Sequence, residues 1–291
     1  METKLSTLKK FNDTLISTAF PYSITCNYHG INLQFKTLSL RFVESLADSI
    51  PKNWISGPTN EKIIYLMTPQ DFAINSQLWS EEISQDCFSF ENNNISVQRD
   101  FACQIRDNKA LLICDDCVGD GLYNFLRWYI SEQLINLNKY VVHASCVLDK
   151  EMNAHLFLGH SGAGKTTITR LCGTRLVLGD DMNIISSVNN QLVVEAGAIG
   201  GQFNSMIGYD KKMPVKACYW LKQSQENRLS DLGPTEANQK LVASFANLHW
   251  PTLSNEKIEQ LMNFSMEAAS SVKFYDLHFL NSNSIWELLD P

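Results

Sequence analysis

No apolar run in this chain approaches the roughly 20 residues of a membrane-spanning helix. Basic residues do not cluster either. The longest Lys/Arg runs are the pairs Lys9-Lys10 and Lys211-Lys212, and the net charge is −7. That balance argues against a general nucleic-acid partner, which needs a concentrated basic surface. The start, METKLSTLKKFND, has an acid at position 2 and lacks an apolar h-region. A secretory signal is therefore not expected, and the cytoplasm is the expected compartment. The eight cysteines are scattered, mostly in apolar stretches, which suits reduced buried thiols rather than a disulfide framework. One C-x-x-C occurs, Cys114 to Cys117, but no second one and no H-x-x-x-H completes a zinc site. Charged residues make up 19% against 44% apolar, so the chain is globular rather than disordered, and its 291 residues suffice for one large domain or two ordinary ones. No internal repeat is visible.

Over residues 20–118 the pattern is one of strands and turns. Residues 22–26 and the alternating run 31–36 flank His29-Gly30 as a hairpin. Further strands are expected at 62–67, 95–97, 101–105 and 110–113, the last two joined by the turn Asp107-Asn108. The segment 48–61, with Pro51, Gly57 and Pro58, reads as a loop, as does the run Asn92-Asn93-Asn94. At Asp120 the period changes: Leu122, Phe125, Leu126, Tyr129, Ile130, Leu134 and Leu137 recur at three and four residues, an amphipathic helix ending near Asn138. Strands and helices then alternate. Strands are expected at 140–148, 154–158 and 176–178, a hairpin at 182–195 around Asn189-Asn190, and strands at 215–221 and 272–279. Helices are expected at 165–171, 256–269 and 285–289. The expected organisation is a β-rich domain over 1–119, a bridging helix over 120–138 and an alternating α/β domain over 139–291.

Residues 159–166, Gly159-His160-Ser161-Gly162-Ala163-Gly164-Lys165-Thr166, fit G-x-x-x-x-G-K-[ST], with an apolar strand before and a helix-forming stretch after, where Thr167 follows. Glycines let successive backbone N–H groups curl around phosphate oxygens, and the helix start adds partial positive charge. Lys165 is expected on the β- and γ-phosphates, and Thr166 on Mg²⁺. The strand 176–178 ends in Asp180-Asp181, only fifteen positions after Lys165. In a parallel sheet, strand C-termini open onto the ligand crevice, where an acid holds Mg²⁺. A second acid there can take the proton of an attacking hydroxyl. The residues alone leave open whether both acids act, or one binds metal and the other is solvated. The short spacing predicts a local unit of strand, loop, short helix and adjacent strand.

Three pieces, in order, resemble the HPr kinase/phosphorylase-like family, which shares its nucleotide site with phosphoenolpyruvate carboxykinases. They are VVHAS at 141–145, GHSGAGKTT at 159–167 and LGDD at 178–181. More loosely, 214–232 and 272–289 are similar to its stand-alone members. The resemblance spans about 139–291. It implies an α/β fold, with a P-loop domain of mixed β-sheet and flanking helices preceded by a smaller β-rich α+β domain. It also implies an ATP- and Mg²⁺-dependent kinase acting on a hydroxyl, serine-type by preference, of a peptide, protein or small molecule. Lys165 then binds phosphate, Thr166 and Asp181 bind Mg²⁺, and Asp180 is the base, with the two aspartates interchangeable at this level. His143, by itself a strand histidine, is implied beside the base. No base-reading motif separates ATP from GTP or pyrophosphate. A homo-oligomer is compatible with the family, but the residues set no subunit number.

There are departures. The family's arginine-bearing loop after the hairpin reads EAGAIGGQ at 195–202 here, which argues against HPr itself as acceptor. Loop 197–201 reads as a cover for the acceptor or as a plain turn. Arg228 is a candidate for transition-state charge, though an exposed surface arginine is the favoured reading. His160 is expected beside adenine or in solvent, His155 in a strand, and Trp220 and Trp250 in a core or interface. The alternative function is a nucleotide-binding regulatory or assembly module with weak or no ATPase activity, for which one acid would suffice. The N-terminal part would then bind a partner or act as scaffold.

Overall fold

The computed structural model describes residues 2–59, 61–75, 79, 85–90, 93–197, 205–206, 208–246 and 248–290. Its backbone contacts divide into two units, Met1–Ile130 with His249–Leu253, and Ser131–Leu248 with Ser254–Pro291. The division falls within helix Asp120–Ile135, and nothing in the sequence indicates the return at 249–253.

The first unit is a mixed sheet of β1 (Tyr22–Tyr28), β2 (Ile31–Thr37), β3 (Ile55–Ser56), β4 (Lys62–Met67), β5 (Gln85–Phe90), β6 (Asn93–Val97), β7 (Ala102–Arg106) and β8 (Lys109–Ile113). Its order is β3-β1-β2-β4-β8-β7-β6-β5. The expected hairpin is β1–β2, with His29 and Gly30 at positive φ. Phe35 of β2 meets Phe42 of helix Leu40–Ser49 at 5.5 Å between ring centroids. Alternation places Tyr65, opposite Lys36, on the other face, where Leu8 and Phe11 of helix Glu2–Thr14 pack with Met67, Val97 and Ile113.

Helix Leu40–Ser49 corrects the reading of residues 20–118 as strands and turns. Helix Leu40–Ser49 forms because the Ser39 hydroxyl accepts from the Phe42 N–H, and Phe42 and Leu46, four apart, are both buried. The expected loop at 48–61 opens inside that helix and holds a 3₁₀ turn, Lys52–Trp54, and β3. Asn93 and Asn94 begin β6 instead of a loop, because they pair with Arg106 and Ile105 of β7; Asn92 lies outside the described residues. Cys114 and Cys117 are free thiols.

The second unit holds β9 (Lys139–Leu148), β10 (Ala154–Leu158), β11 (Leu176–Gly179), β12 (Met182–Val188), β13 (Gln191–Ala196), β14 (Met213–Gln223), β15 (Arg228–Asp231) and β16 (Lys273–Phe279). Their order is β10-β9-β12-β13-β14-β16-β15, with β14 also pairing parallel to β10. The hairpin β12–β13 turns on Asn189 and Asn190, both at positive φ, which asparagine tolerates. The sheet is mixed, not parallel, and β11 is not adjacent to β10. Both run antiparallel to β9 and lie on its opposite edges. They therefore run the same way, and their C-termini emerge at one end of the sheet. Helix Lys165–Arg170 is too short to stand alone. Ile168 is buried with Phe157, Val177 and Trp286, and the Trp286 indole N–H donates to the Leu171 carbonyl at 2.8 Å. Arg175 lies 4.5 Å over the Trp286 ring and bonds Asp290.

The opposite end of β10 carries a buried polar network. His155 Nδ1 is 2.9 Å from the Tyr219 hydroxyl, and its Nε2 is 3.5 Å from Asp149 Oδ2, which also receives Lys216 at 2.8 Å. Burial opposes charge on Asp149, but Lys216 and Asn153 outweigh it and hold the carboxyl at about 2 against the usual 3.8. Burial likewise lowers the His155 pKa below 6.5, against the pull of Asp149. A histidine kept neutral in the fold stabilises above its unfolded pKa, and that contribution falls as pH drops below 6.5. The depressed Asp149 contributes above 3.8, by about 2 kcal/mol, and loses this as pH falls toward 2. Urea midpoints measured from pH 8 to pH 2 are expected to fall in these two windows, and His155→Gln should remove the upper one.

Candidate phosphate-binding site

The glycine loop leaves β10 after Leu158 and enters helix Lys165–Arg170. Gly164, at φ 109°, caps that helix in a conformation that side chains resist, and a Cβ there would lie 2.5 Å from Phe279 Cζ. Backbone conformation and packing therefore both require glycine. Lys165 is buried, its Nζ donating to the carbonyls of Gly159 at 2.8 Å and His160 at 3.0 Å. Burial pushes its pKa below the usual lysine range, and the Asp181 carboxylate pulls it back up. Gln223, at the end of β14, ties the loop from outside through Nε2 to the Gly162 carbonyl at 3.0 Å.

The aspartate pair sits where β9 exchanges one partner for another. Gly179 of β11 pairs with Cys146, and Met182 of β12 pairs with His143. Asp180 and Asp181 span the interval, and the Ala144 N–H donates to the Asp181 carbonyl at 2.9 Å. His143 is anchored by its own N–H to the Ser244 carbonyl at 2.8 Å. Its Nε2 lies 3.0 Å from Asp181 Oδ1. The resemblance put His143 beside the base, read as Asp180; the contact seen is with Asp181. Asp180 itself is buried, and Asp181 is partly exposed.

His143, Ser161, Gly162, Gly164, Lys165, Thr166, Thr167, Asp180 and Asp181 line one cleft of about 270 Å³. Gly159, His160 and Ala163 belong to the same loop but are not among the lining residues. Ala163 packs on the core around Phe157. His160 is exposed, its ring edge-on to Trp220 at 4.9 Å, and Trp220 also carries Lys240 over its face at 4.4 Å. Arg228 is an exposed residue of β15, near Glu226 and Ser230, and does not line the cleft. In loop 197–201 only Gly197 is described; residues 198–201 lie outside the described residues.

The Thr166 hydroxyl and the Asp180 and Asp181 carboxylates make an oxygen donor set. This suits a hard cation such as Mg²⁺, which takes one or two protein carboxylates and fills its shell with water and phosphate. Sequence reasoning missed two positions. Gln223 carries no signal. Asn183 does, being an amide within the otherwise apolar start of β12 just after the acids; it is fully buried and bonds Ala144 and Gly179.

No family model matches this chain, and no curated protein matches it. Among solved structures it is similar to the Hpr(Ser) kinase/phosphatase from Coxiella burnetii. The identity is 11%, the match covers 51% of this chain and 90% of that one, and the TM-score is 0.29. That likeness is slight, and the site is read from its own residues.

Gly164→Ala tests the built form of the loop. The backbone strain alone is expected to cost about 1–3 kcal/mol in urea unfolding, with a further cost from the Phe279 ring. Adding Phe279→Leu should recover only that further part.

Proposed function

We propose that this chain is an ATP-dependent kinase that transfers the γ-phosphate to a hydroxyl of a peptide, protein or small molecule, with residues 139–291 carrying the chemistry. One observation carries the reading: a phosphate-loop lysine and hydroxyl, two carboxylates and an imidazole line a single cleft. A module that only binds nucleotide has no need of the second acid.

In this reading the loop amides and Lys165 hold the β- and γ-phosphates, and charge on Lys165 is favoured by Asp181. Thr166 and Asp181 hold Mg²⁺, which when bound neutralises phosphate charge. Asp181 suits that role better than Asp180. Its charge favours a charged Lys165, and His143 fixes its carboxylate as outer partners fix metal-binding carboxylates. His143 thus acts as a positioning residue through Asp181. Asp180 accepts the proton of the acceptor hydroxyl. The acceptor oxygen forms a bond to the γ-phosphorus as the bond from that phosphorus to the β,γ-bridging oxygen breaks. ADP leaves with the electron pair, and the proton stays on Asp180.

Incubation with γ-labelled ATP, Mg²⁺ and serine-containing peptides or small alcohols tests the proposal. Asp180→Asn is expected to lower kcat by about 10²–10⁴-fold with ATP affinity retained. Asp181→Asn should instead raise the Mg²⁺ concentration for half-maximal rate by about 10-fold or more. ATP binding with no transfer to any acceptor, and no effect of Asp180→Asn, would sink the kinase reading in favour of a regulatory module.

A further inference from the structure

We infer that Asn183 is a positioning residue for the Asp180–Asp181 pair, a role that rests on the kinase reading. Asn183 lies three positions beyond Asp180, on β12, and is fully buried. Its side-chain amide donates to the Ala144 carbonyl at 2.8 Å and is 3.4 Å from the Gly179 carbonyl. Gly179 immediately precedes Asp180. Ala144 immediately follows His143, and its N–H holds the Asp181 carbonyl. One amide group thus ties together the strand that carries His143 and the two ends of the acid pair.

The tie stands where the ladder cannot. The pairing of β11 with β9 shifts register between Val177 and Gly179, and pairing on that edge resumes only at Met182. Buried carbonyls at such a break need a donor from elsewhere. Asn183 supplies it, and among the described residues its Oδ1 has no hydrogen-bond partner, so the donor end does the holding. Gly179 is matched to it, since a Cβ there would lie 2.8 Å from Asn183 Oδ1. An apolar residue at 183 would leave the Ala144 carbonyl without this donor and free the acid pair to shift. A shift of about 1 Å in a reacting group can cost on the order of 10²-fold in rate.

The test compares full-length wild type, Asn183→Leu, Asn183→Ala and the buried-core control Ile185→Ala from the same strand. Each is assayed for kcat, KM for ATP and Mg²⁺ half-saturation, well below its thermal midpoint. The Asn183 variants are expected to lose about 10-fold or more in kcat and to need several-fold more Mg²⁺, with KM for ATP little changed. Ile185→Ala should lower the thermal midpoint without either effect. Asn183 variants that keep wild-type kcat and Mg²⁺ dependence, or change only as Ile185→Ala does, overturn the inference while the kinase reading stands. A wild-type chain that transfers no phosphate overturns both. If the Asn183 variants do not fold, Gly179→Ala decides, because its Cβ displaces the same amide. The same kinetic signature supports the role, and wild-type kinetics refute it.

Discussion

The candidate site depends on the divided edge of β9. One edge of this strand takes β10, and the other takes β11 and then β12, with a gap of two residues between them. Those two residues are the aspartates. Because β10 and β11 both oppose β9, the glycine loop and the acid pair leave the sheet at the same end, and His143 faces them from β9 itself. The bond from the Ala144 N–H to the Asp181 carbonyl closes the gap. Had β12 simply continued the ladder of β11, both acids would be ordinary strand residues pointing to opposite faces.

Around that gap the protein concentrates charge in a small volume. Lys165 is buried, which weakens its hold on a proton, and Asp181 opposes that loss. His143 in turn orients Asp181. The loop is pinned by Gln223 on one side and by the Phe279 ring under Gly164 on the other. The far end of the short helix is closed by Trp286 through the Leu171 carbonyl. These anchors are hydrogen bonds and packed rings on neighbouring strands and the C-terminal helix, and they hold the loop conformation from several sides. On the proposed kinase reading, such anchoring would lower the reorganisation that phosphoryl transfer requires.

Local pattern made much of this legible. The hairpin turn Asn189-Asn190, the helix from Asp120 and the glycine loop are each written in a few consecutive residues, and each is found where the pattern places it. Non-local pairing was not legible. Residues 176–178 read as a strand, but nothing in them says that β9 stands between them and β10. The helix Leu40–Ser49 was hidden among strand signals, since its buried face shows only Phe42 and Leu46. The neighbour of His143 also turned on register, because a one-residue change moves every side chain to the other face. Asn183 and Gln223 act through side-chain bonds to backbone 39 and 61 positions away, a separation that no short motif records.

On the proposed kinase reading, this cleft differs from a plain nucleotide pocket in pairing a buried acid that receives a proton, Asp180, with one that holds a cation, Asp181. The central claim is therefore that the γ-phosphate goes to an alcohol and not to water. Phosphorus NMR of the full chain with Mg·ATP and a fractionated pool of peptides and small alcohols tests this most directly. A phosphomonoester signal that grows in step with ADP is expected, and Asp180→Asn should slow its growth by about 10²–10⁴-fold. ADP accompanied only by inorganic phosphate, or no ADP with every fraction, would contradict it.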